Sequence, residues 1–568
     1  MHDRRCRNIP VASGCEACRK VRKLLRITPE CGGLFSAIDE LLPKRLPLIN
    51  AASLWVLPLL VNIQVMKIAS LFVLAFSATV SVFGQSIDIE IGPIINFEEI
   101  QKQVEVPRIS LATPYKSFAH SNGLFFNTQA KKSYSGFGFQ NNGFCFGVYD
   151  NYLKYSGVKK LAATNFNEQT VLNGFLIVNK KLHVVYTIKD LKQDQFTVYA
   201  SEVNPDLVLS GNPVPLKTFA ELKNYGSNVY VSSSQNKAYL LLTRVLDPKP
   251  KEVQKMDLQI LDAAFTEVWA KRVETTIMGK DHKIQSISVD DSGNVYALID
   301  YQAGRDTKPV VYAYYWQDKS LKSFEPGIAT GVNFGARLEL VKGVEPYVIG
   351  LNENVKGKEK EIKYFIDRVN TTSQTLEKVG NGAMSSDFRK ISNANLFDTR
   401  QWNVMHILIT GDGGIIASVE AVVIEEKYGV QHSFNAFVFS FRKDGTTRWA
   451  RTIHKKQSAM PGMAGHLLAM AGDRVLFVYN DDAQNATKLP DDDEVALFTS
   501  NNAMAMVQEI DASGKVQKYP LSNSKDIEGF ALNFNAMGKI DEGYYFDTAS
   551  RINCRKSIDS RNLTFRLR

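Results

Sequence analysis

Acidic side chains are concentrated in one short part of the sequence. Two carboxylates precede the segment 483–490 and four follow it. Clustered carboxylates can bind Ca²⁺, which takes six to eight oxygen ligands, although the spacing here matches no EF-hand and most acidic loops are only solvated. The sequence therefore predicts a calcium site, with a solvated loop as the favoured alternative, at Asp481, Asp482, Asp491, Asp492, Asp493 and Glu494.

Other residue types that do chemistry show no spacing that defines a reaction. The sequence contains no G-x-S-x-G, H-E-x-x-H or P-loop motif and no G-x-G-x-x-G between a strand and a helix. Cys15 and Cys18 have the spacing of a zinc knuckle, but a second close pair is missing. His406 and His466 each lead a predicted hairpin, where histidines are commonly satisfied by backbone. We therefore predict no catalytic residue and no cofactor other than Ca²⁺.

The elements that would position these residues are short strands arranged in a repeat. In the clearest copy, three phenylalanines of Phe437–Phe441 alternate with other residues, a period of two that places the aromatic rings on one sheet face. Asp444 and Gly445 then form a tight turn, because glycine reaches positive φ without steric cost. Trp449 follows on the returning strand, where its side chain can fill the gap between neighbouring sheets.

Hairpins of this kind recur at near-constant intervals along the chain. We predict that they begin near residues 121, 172, 228, 284, 336, 406, 466 and 530. A four-stranded sheet cannot bury both of its faces alone, and closure into a ring packs each sheet on its neighbours. The sequence thus predicts an all-β fold, a β-propeller of seven or eight four-stranded blades, over residues 120–568. A β-solenoid and two separate sandwiches are the alternatives.

The copy at residues 406–449 resembles a repeat of exported proteins from Bacteroidetes-type bacteria, in which a T-x-D-G-G segment precedes a K-x-D-x-x-G-x-x-x-W segment. The turn of the second segment is shorter here, which gives D-G-x-x-x-W. The residues that match are Thr410, Asp412, Gly413 and Gly414 in the first part and Asp444, Gly445 and Trp449 in the second. The resemblance covers this unit well and the other units weakly. It implies a propeller-like fold and a secreted or surface setting, and it implies no chemistry.

Two cysteines lie in units that ring closure would bring together. Cys145 belongs to the first unit and Cys554 to the last. An oxidising compartment permits a bridge between them. We predict a disulfide that latches the ring, with two unpaired thiols as the alternative because nothing in the sequence fixes how the two side chains face each other.

A stretch typical of a secretory signal peptide occupies residues 66–84. It opens with Met66 and Lys67, continues with about a dozen apolar residues and ends at Gly84, so we expect cleavage between Gly84 and Gln85. Residues 1–65 are then an upstream segment that is untranslated or disordered, and residues 85–119 are a lead-in to the propeller. In the alternative, residues 46–87 stay uncleaved and anchor the chain in a membrane.

Charge and setting limit the partners. The net charge is +9, but the ten basic and five acidic residues among the first 45 account for +5, and Lys67 adds one more. The remaining charge of about +3 gives no electrostatic footprint for nucleic acid. We expect a secreted, periplasmic or cell-surface protein that binds a protein or a glycan, without catalysis, through loops at one end of the ring. The alternative is a periplasmic or secreted hydrolase or lyase with its site at the mouth of the central channel.

Overall fold

The computed structural model describes the chain from Ile87 to Leu567 with gaps. The residues that it does not describe within this range are 97–114, 120–124, 136–137, 150–154, 162–169, 180, 205–207, 221–228, 247–251, 279–281, 304–305, 342–344, 357–358, 389–400, 426–429, 461, 500–501, 523–528, 535–536, 542–543 and 553–557. The predicted signal peptide, its cleavage site between Gly84 and Gln85, and residues 1–65 lie outside the described residues, as does nearly all of the alternative membrane anchor.

The described strands form eight four-stranded antiparallel sheets, numbered here in chain order. The first strand of the chain is β1 (Ile87–Asn96). Sheet 1 contains β2 (Tyr115–Ala119), β3 (Phe125–Ser135), β4 (Gly138–Tyr149) and β5 (Tyr155–Leu161). Sheet 2 contains β6 (Thr170–Val178), β7 (Lys181–Asp190), β8 (Gln195–Val203) and β9 (Leu209–Ala220). Sheet 3 contains β10 (Val229–Ser233), β11 (Tyr239–Leu246), β12 (Val253–Asp262) and β13 (Glu267–Met278). Sheet 4 contains β14 (His282–Val289), β15 (Val295–Ala303), β16 (Asp306–Tyr315) and β17 (Ser320–Phe324).

The remaining sheets follow the same plan. Sheet 5 contains β18 (Val332–Val341), β19 (Glu345–Lys356), β20 (Glu359–Asn370) and β21 (Thr375–Ala383). Sheet 6 contains β22 (Trp402–Ile409), β23 (Ile415–Glu425), β24 (Val430–Phe441) and β25 (Thr447–Ala459). Sheet 7 contains β26 (His466–Ala471), β27 (Arg474–Asp482), β28 (Ala503–Ile510) and β29 (Val516–Pro520), with a 3-10 helix at Ala483–Asn485. Sheet 8 contains β30 (Gly538–Asp541), β31 (Tyr544–Ile552) and β32 (Ile558–Leu567), and β1 completes it beside β32.

Strand β24 shows why both faces of a sheet are apolar. Phe437, Phe439 and Phe441 share one face and pack with side chains of sheet 5. Val438, on the opposite face, packs with side chains of sheet 7. The predicted alternation is confirmed, and all residues of Ala436–Phe441 are buried because the sheet has a neighbour on each side.

The predicted glycine turns are also confirmed. The amide of Gly413 donates to the carbonyl oxygen of Thr410 at 2.9 Å, and the amide of Gly445 donates to that of Arg442 at 2.8 Å. Both glycines adopt positive φ, +81° and +78°, which a residue with a Cβ rarely adopts. Each turn reverses the chain within a few residues and thereby sets the register of the two strands that it joins.

Trp449 lies between sheets 6 and 7, as the sequence predicts. Its ring is buried against the turn that joins β28 and β29, with its Cβ and Cγ close to Gly514. Its Nε1–H donates to the carbonyl oxygen of Ala512 in that turn at 3.2 Å. One side chain thus satisfies its only polar atom and fills the gap between two sheets.

Contacts of the described residues link sheets 2 to 8 in chain order and sheet 8 to sheet 1. The first strands of the sheets touch in succession, from β6 through β10, β14, β18 and β22 to β26. Apolar clusters join each of sheets 2 to 7 to the next sheet. At the ends of the chain, β1 pairs with β32, and β2 contacts β30 and β31. This closure of successive four-stranded sheets is a β-propeller fold.

Two parts of the predicted organisation can be compared with the strands. The first strands of the sheets begin at or close to the predicted hairpins, from the predicted residue itself at His466 to eight residues away at Gly538. Residues 85–119, predicted as a lead-in, instead contain β1, which is the fourth strand of sheet 8, and β2, which opens sheet 1. The reason is that the open edge of β32 needs a partner, and the beginning of the propeller supplies it. None of the helices in the described ranges has the length and hydropathy that crossing a membrane requires.

Candidate functional site

A buried polar network lies where sheet 6 meets sheet 7. All of its side chains are buried, and they are Ser418 and Glu420 on β23, Ser433 on β24, Lys455 and Gln457 on β25, and His466 at the start of β26. Ser418 and Glu420 are two residues apart on a strand and therefore share a face. Ile416 on that same face packs into the apolar cluster that joins sheets 6 and 7, so both polar side chains point toward sheet 7.

Glu420 is the centre of the network. Its Oε1 accepts from Lys455 Nζ at 2.5 Å, and its Oε2 lies 2.6 Å from His466 Nδ1. Lys455 Nζ also donates to Ser433 Oγ at 2.9 Å and to Gln457 Oε1 at 2.7 Å. All three protons of the ammonium group are therefore used, which a charge without access to water requires.

The charges of the network follow from these contacts. Burial alone would raise the pKa of Glu420, but Lys455 and His466 together hold it at about 2. Burial lowers the pKa of His466, against the opposing pull of Glu420. The carboxylate is thus ionised with Lys455 as its counter-ion, and the imidazole is neutral. Its Nδ1–H donates to Glu420, and its Nε2 accepts from the hydroxyl of Ser418 at 2.8 Å.

Ser418, His466 and Glu420 are connected in the order of a hydrolase triad. The serine is within hydrogen-bond reach of the imidazole, and the carboxylate orients the imidazole. However, Ser418 and Glu420 are 0% exposed and His466 is 4% exposed, so no substrate carbonyl can reach the Ser418 hydroxyl. Glu420 is in addition the partner of Lys455. This network therefore joins two sheets and has no access for chemistry.

The network continues into the next junction of sheets. Gln457 Nε2 donates to the carbonyl oxygen of Asn480 in sheet 7 at 2.7 Å. Asn480 Nδ2 in turn donates to the carbonyl oxygen of Leu532, just before sheet 8, at 2.8 Å, and the amide of Leu532 donates back to Asn480 Oδ1 at 2.8 Å. A continuous line of buried polar contacts thus fixes sheets 6 and 7 to each other and to the segment that leads into sheet 8.

An open groove of about 950 Å³ lies beside β25, and we call it the β25 groove. The strand lines it with Ala450, Arg451, Thr452 and His454. Neighbouring residues of a strand point to opposite faces, so a groove that touches residues 450, 451 and 452 together runs along the edge of the strand. This edge is open because β25 is the last strand of sheet 6.

The far wall of the groove is charged. The segment between β27 and β28 contributes Asp491 and Asp493, the turn before β29 contributes Lys515, and Asp387 lies on the side of sheet 5. Burial lowers the pKa of His454, although the charges of Asp493, Asp491 and Asp387 act to raise it. The groove is therefore acidic around a neutral imidazole.

The six predicted acidic residues fall into two places. Asp481 is fully buried; its Oδ1 accepts from Asn485 Nδ2 at 2.6 Å, and its Oδ2 lies 3.5 Å from Lys518 Nζ. Asp482 caps the 3-10 helix by accepting from the amide of Gln484 at 2.9 Å. These two carboxylates hold the start of the loop in place.

The other four predicted acids lie further along the same loop and are exposed. Asp491 and Asp493 line the groove, Asp492 accepts from the amide of Leu489 at 2.9 Å, and Glu494 does not line the groove. Within the described part of the chain, no three His, Cys, Asp or Glu side chains converge as metal ligands would. Calcium binding stays a prediction, which titration calorimetry with CaCl₂ measures.

The remaining predicted residues are placed as follows. His406 Nε2 contacts the carbonyl oxygen of His466 at 3.1 Å, the backbone contact expected for a histidine that leads a hairpin. Cys145 lies on β4 opposite Gln129 of β3. Cys554 lies outside the described residues, so the disulfide between the two cysteines stays a prediction.

Sequence reasoning missed the centre of the buried polar network. The available signal was a single charged residue, Glu420, inside the apolar run of β23, and a lysine, Lys455, in a strand. Neither residue identifies its partner, because Lys455 lies 35 residues and His466 lies 46 residues from Glu420 in the chain.

Together, the ring of sheets and the open groove between two of them define this chain as a β-propeller protein with an open cavity at its surface. No family model matches the chain. No curated protein matches it in sequence either.

Comparison with solved structures finds remote likenesses. The β-propeller domain of the Trilobed protease from Pyrococcus furiosus has 9% identity and a TM-score of 0.33, over 74% of this chain and 98% of that one. The WD40 domain of SCAP from fission yeast has 6% identity and a TM-score of 0.35, over 85% and 94%. A protein of unknown function from Dyadobacter fermentans has 10% identity and a TM-score of 0.30, over 61% and 96%. All three TM-scores lie below 0.5, so nothing about the activity of this chain follows from them.

Proposed function

We propose that this chain is an exported β-propeller of eight blades that binds a protein or a glycan without catalysis, and that the β25 groove is its binding site. The eight four-stranded sheets support the blade number. Binding is supported by the composition of the groove, in which carboxylates, cations and apolar side chains meet at a surface open to solvent. Fold alone selects no ligand for a propeller, so the proposal depends on this site.

The single observation that carries the proposal is the shape of the loop between β27 and β28. This loop folds back along sheet 6 and is held at both ends, by Asp481 and Asp482 at its start and by Phe498 beside β25. Between those points it leaves a cavity of about 950 Å³ and exposes Leu489 by 70%. An apolar side chain that is held in the open at the rim of a polar groove is suited to contact a ligand.

A groove-filling variant tests this function. Thr452→Trp places an indole in the groove, and Thr446→Trp places the same side chain on an exposed turn that does not line it. Purified wild-type protein and both variants are applied to an array of oligosaccharides and an array of peptides. We expect the ligands bound by wild type to be lost in Thr452→Trp and retained in Thr446→Trp. Equal binding by all three proteins would place the binding site elsewhere.

Export is tested separately. N-terminal sequencing of the protein recovered from outside the cytoplasm is expected to begin at Gln85 if the signal peptide is cleaved. Recovery of material that still contains residues 46–87 would support the alternative of a membrane anchor. The proposed binding site does not depend on the outcome, because both forms contain the whole propeller.

A further inference from the structure

The edge of β25 already accepts one extended segment from the chain itself. Phe498 forms a parallel bridge beside Gln457. The amide of Ser458 donates to the carbonyl oxygen of Phe498, and the amide of Phe498 donates to that of Lys456, both at 2.9 Å. This single bridge, on the side of β25 that no strand of sheet 6 occupies, shows that the edge of β25 can pair with an extended segment.

The loop between β27 and β28 approaches Phe498 along the side of β25 that faces the groove. Because the bridge is parallel, loop residues before Phe498 run alongside β25 residues before Gln457. Asp493 and Asp491 accordingly line the same groove as residues 450–454 of β25, but the cavity now separates the two segments. The gap lies between a strand edge and a facing loop, which is where an additional strand would fit.

Charge selects the kind of side chain that such a strand would carry. The carboxylates of Asp387, Asp491 and Asp493 line the groove together with His454, and their charges act to raise its pKa. Arg451, the cation of β25 that lines the groove, is engaged by the backbone, since its Nη1 donates to the carbonyl oxygen of Ala450 at 2.9 Å and its Nε donates to that of Gly514. The acidic end of the groove thus attracts a basic group from outside.

We propose that the β25 groove binds an extended peptide segment that pairs with the edge of β25 at residues 450–454 and places a lysine or arginine side chain beside Asp491 and Asp493. This inference rests on the proposed function and specifies its ligand as a polypeptide. Main-chain hydrogen bonds would supply affinity, and the acidic end of the groove would supply the preference for a basic side chain.

The experiment uses arrays of acetylated and amidated nonapeptides. One array has lysine fixed at the central position and the other has glutamate, with all other positions randomised identically. The full chain is compared with the double variant Asp491→Asn with Asp493→Asn, and with Glu494→Gln, a control that removes a charge from the same loop outside the groove. We expect wild type and the control to prefer the lysine array at least tenfold, and the double variant to lose that preference.

A second comparison isolates the main-chain contacts. The tightest lysine peptide is resynthesised with alternate backbone amides N-methylated, in both possible registers, which preserves its side chains and removes its donors. We expect at least one methylated form to lose tenfold or more in affinity. The bound unmethylated peptide should also slow hydrogen exchange at amides of residues 450–454.

The outcomes separate this inference from the proposed function. Undiminished binding by both methylated peptides would overturn edge pairing, while the groove would remain a binding site. Binding of an oligosaccharide in place of peptides, lost in Thr452→Trp, would overturn the polypeptide assignment and support the proposed function. Failure of the folded wild-type protein to bind either array would overturn both.

Discussion

Replacing Lys455 with methionine tests the assignment of charge in the buried polar network. Lys455→Met keeps a side chain of similar length and removes the ammonium group that contacts Glu420 at 2.5 Å. Removing one partner of a buried ion pair typically costs about 3–5 kcal/mol of unfolding free energy, because the other charge stays buried without compensation. The wild-type pair is 0% exposed on both sides, so solvent screening does not reduce this figure.

The cost should depend on pH, because His466 can replace the lost cation. In the wild type, the folded-state pKa of His466 lies below its ordinary value of 6.5, so this residue lowers stability as the pH falls below that value. In Lys455→Met, the charge of Glu420 acts on His466 without a competing ammonium group, and the pKa of His466 should rise. A raised folded-state pKa stabilises the protein at low pH, and this stabilisation is lost as the pH rises through it.

The size of the cost should follow the protonation of His466. We therefore expect Lys455→Met to cost about 3–5 kcal/mol of unfolding free energy at pH 8, where His466 is neutral. The cost should be smaller at pH 5.5, where a protonated His466 compensates the charge of Glu420. The difference between variant and wild type is the quantity to compare, because His183 and His454, which lie outside the network, also have lowered pKa values and act in both proteins.

The assay is equilibrium unfolding in urea followed by tryptophan fluorescence between pH 5.5 and 8. Lys443→Met, on an exposed turn of the same sheet, is the control and should show no pH-dependent difference from wild type. The double variant Glu420→Gln with Lys455→Met should be more stable at pH 8 than Lys455→Met alone, because no buried charge remains. A cost for Lys455→Met that is the same at both ends of the pH range would refute the assignment of a neutral His466 beside a charged Glu420.

Substitutions of glycine and tryptophan residues, measured by the same unfolding assay, and chemical labelling of Ser418 test other parts of the fold. Gly445→Ala should cost more than about 2 kcal/mol of unfolding free energy, because φ is positive and the new Cβ would lie only 2.6 Å from the Cα of Gly380. Gly413→Ala should cost about 1 kcal/mol, because φ is similar but only a flexible lysine side chain lies nearby. Equal costs would argue against the close approach of sheets 5 and 6. Ser418 should resist a fluorophosphonate probe in the native protein because it is 0% exposed, and labelling at Ser418 would show that the triad-like arrangement is accessible. Trp449→Phe should cost about 1–3 kcal/mol through a lost hydrogen bond and a small cavity, and a neutral effect would contradict its role in packing sheet 6 on sheet 7.

The parts of the fold that the sequence predicts are those that depend on neighbouring residues. The alternation in Phe437–Phe441 and the turn at Gly445 are decided within a few residues, and both are confirmed. The pairing of β1 with β32 joins opposite ends of the described chain, and local pattern alone leaves Ile87–Asn96 in a predicted lead-in because it does not show the distant partner. Local pattern therefore predicts the strands, while the closure of the ring is decided by which edges remain unpaired.

The candidate site divides in the same way. The sequence shows the acidic loop as a concentration of charge. It does not show that the first two carboxylates turn inward while Asp491 and Asp493 face outward. That difference arises because Asp481 and Asp482 end a strand that is buried on both faces, where a carboxylate must find donors such as Asn485. Charge clustering predicts a polar surface, whereas the direction of each side chain is decided by the strand that carries it.

The network and the groove meet at adjacent residues of β25, because His454 lines the groove and Lys455 belongs to the network. This explains why a closed polar cluster lies beside an open site. At β25 the register shifts between Ile453 and Lys456, so His454 and Lys455 together face Asn435 of β24. The side chain of Asn435 accepts from the amide of Lys455 at 3.2 Å and also lines the groove. Lys455, held by three side chains, fixes the backbone from which His454 projects. A binding surface built on the edge of a strand needs such support, because an edge strand has a neighbouring strand on one side only. The buried polar network provides this support at the end of the groove where the carboxylates converge.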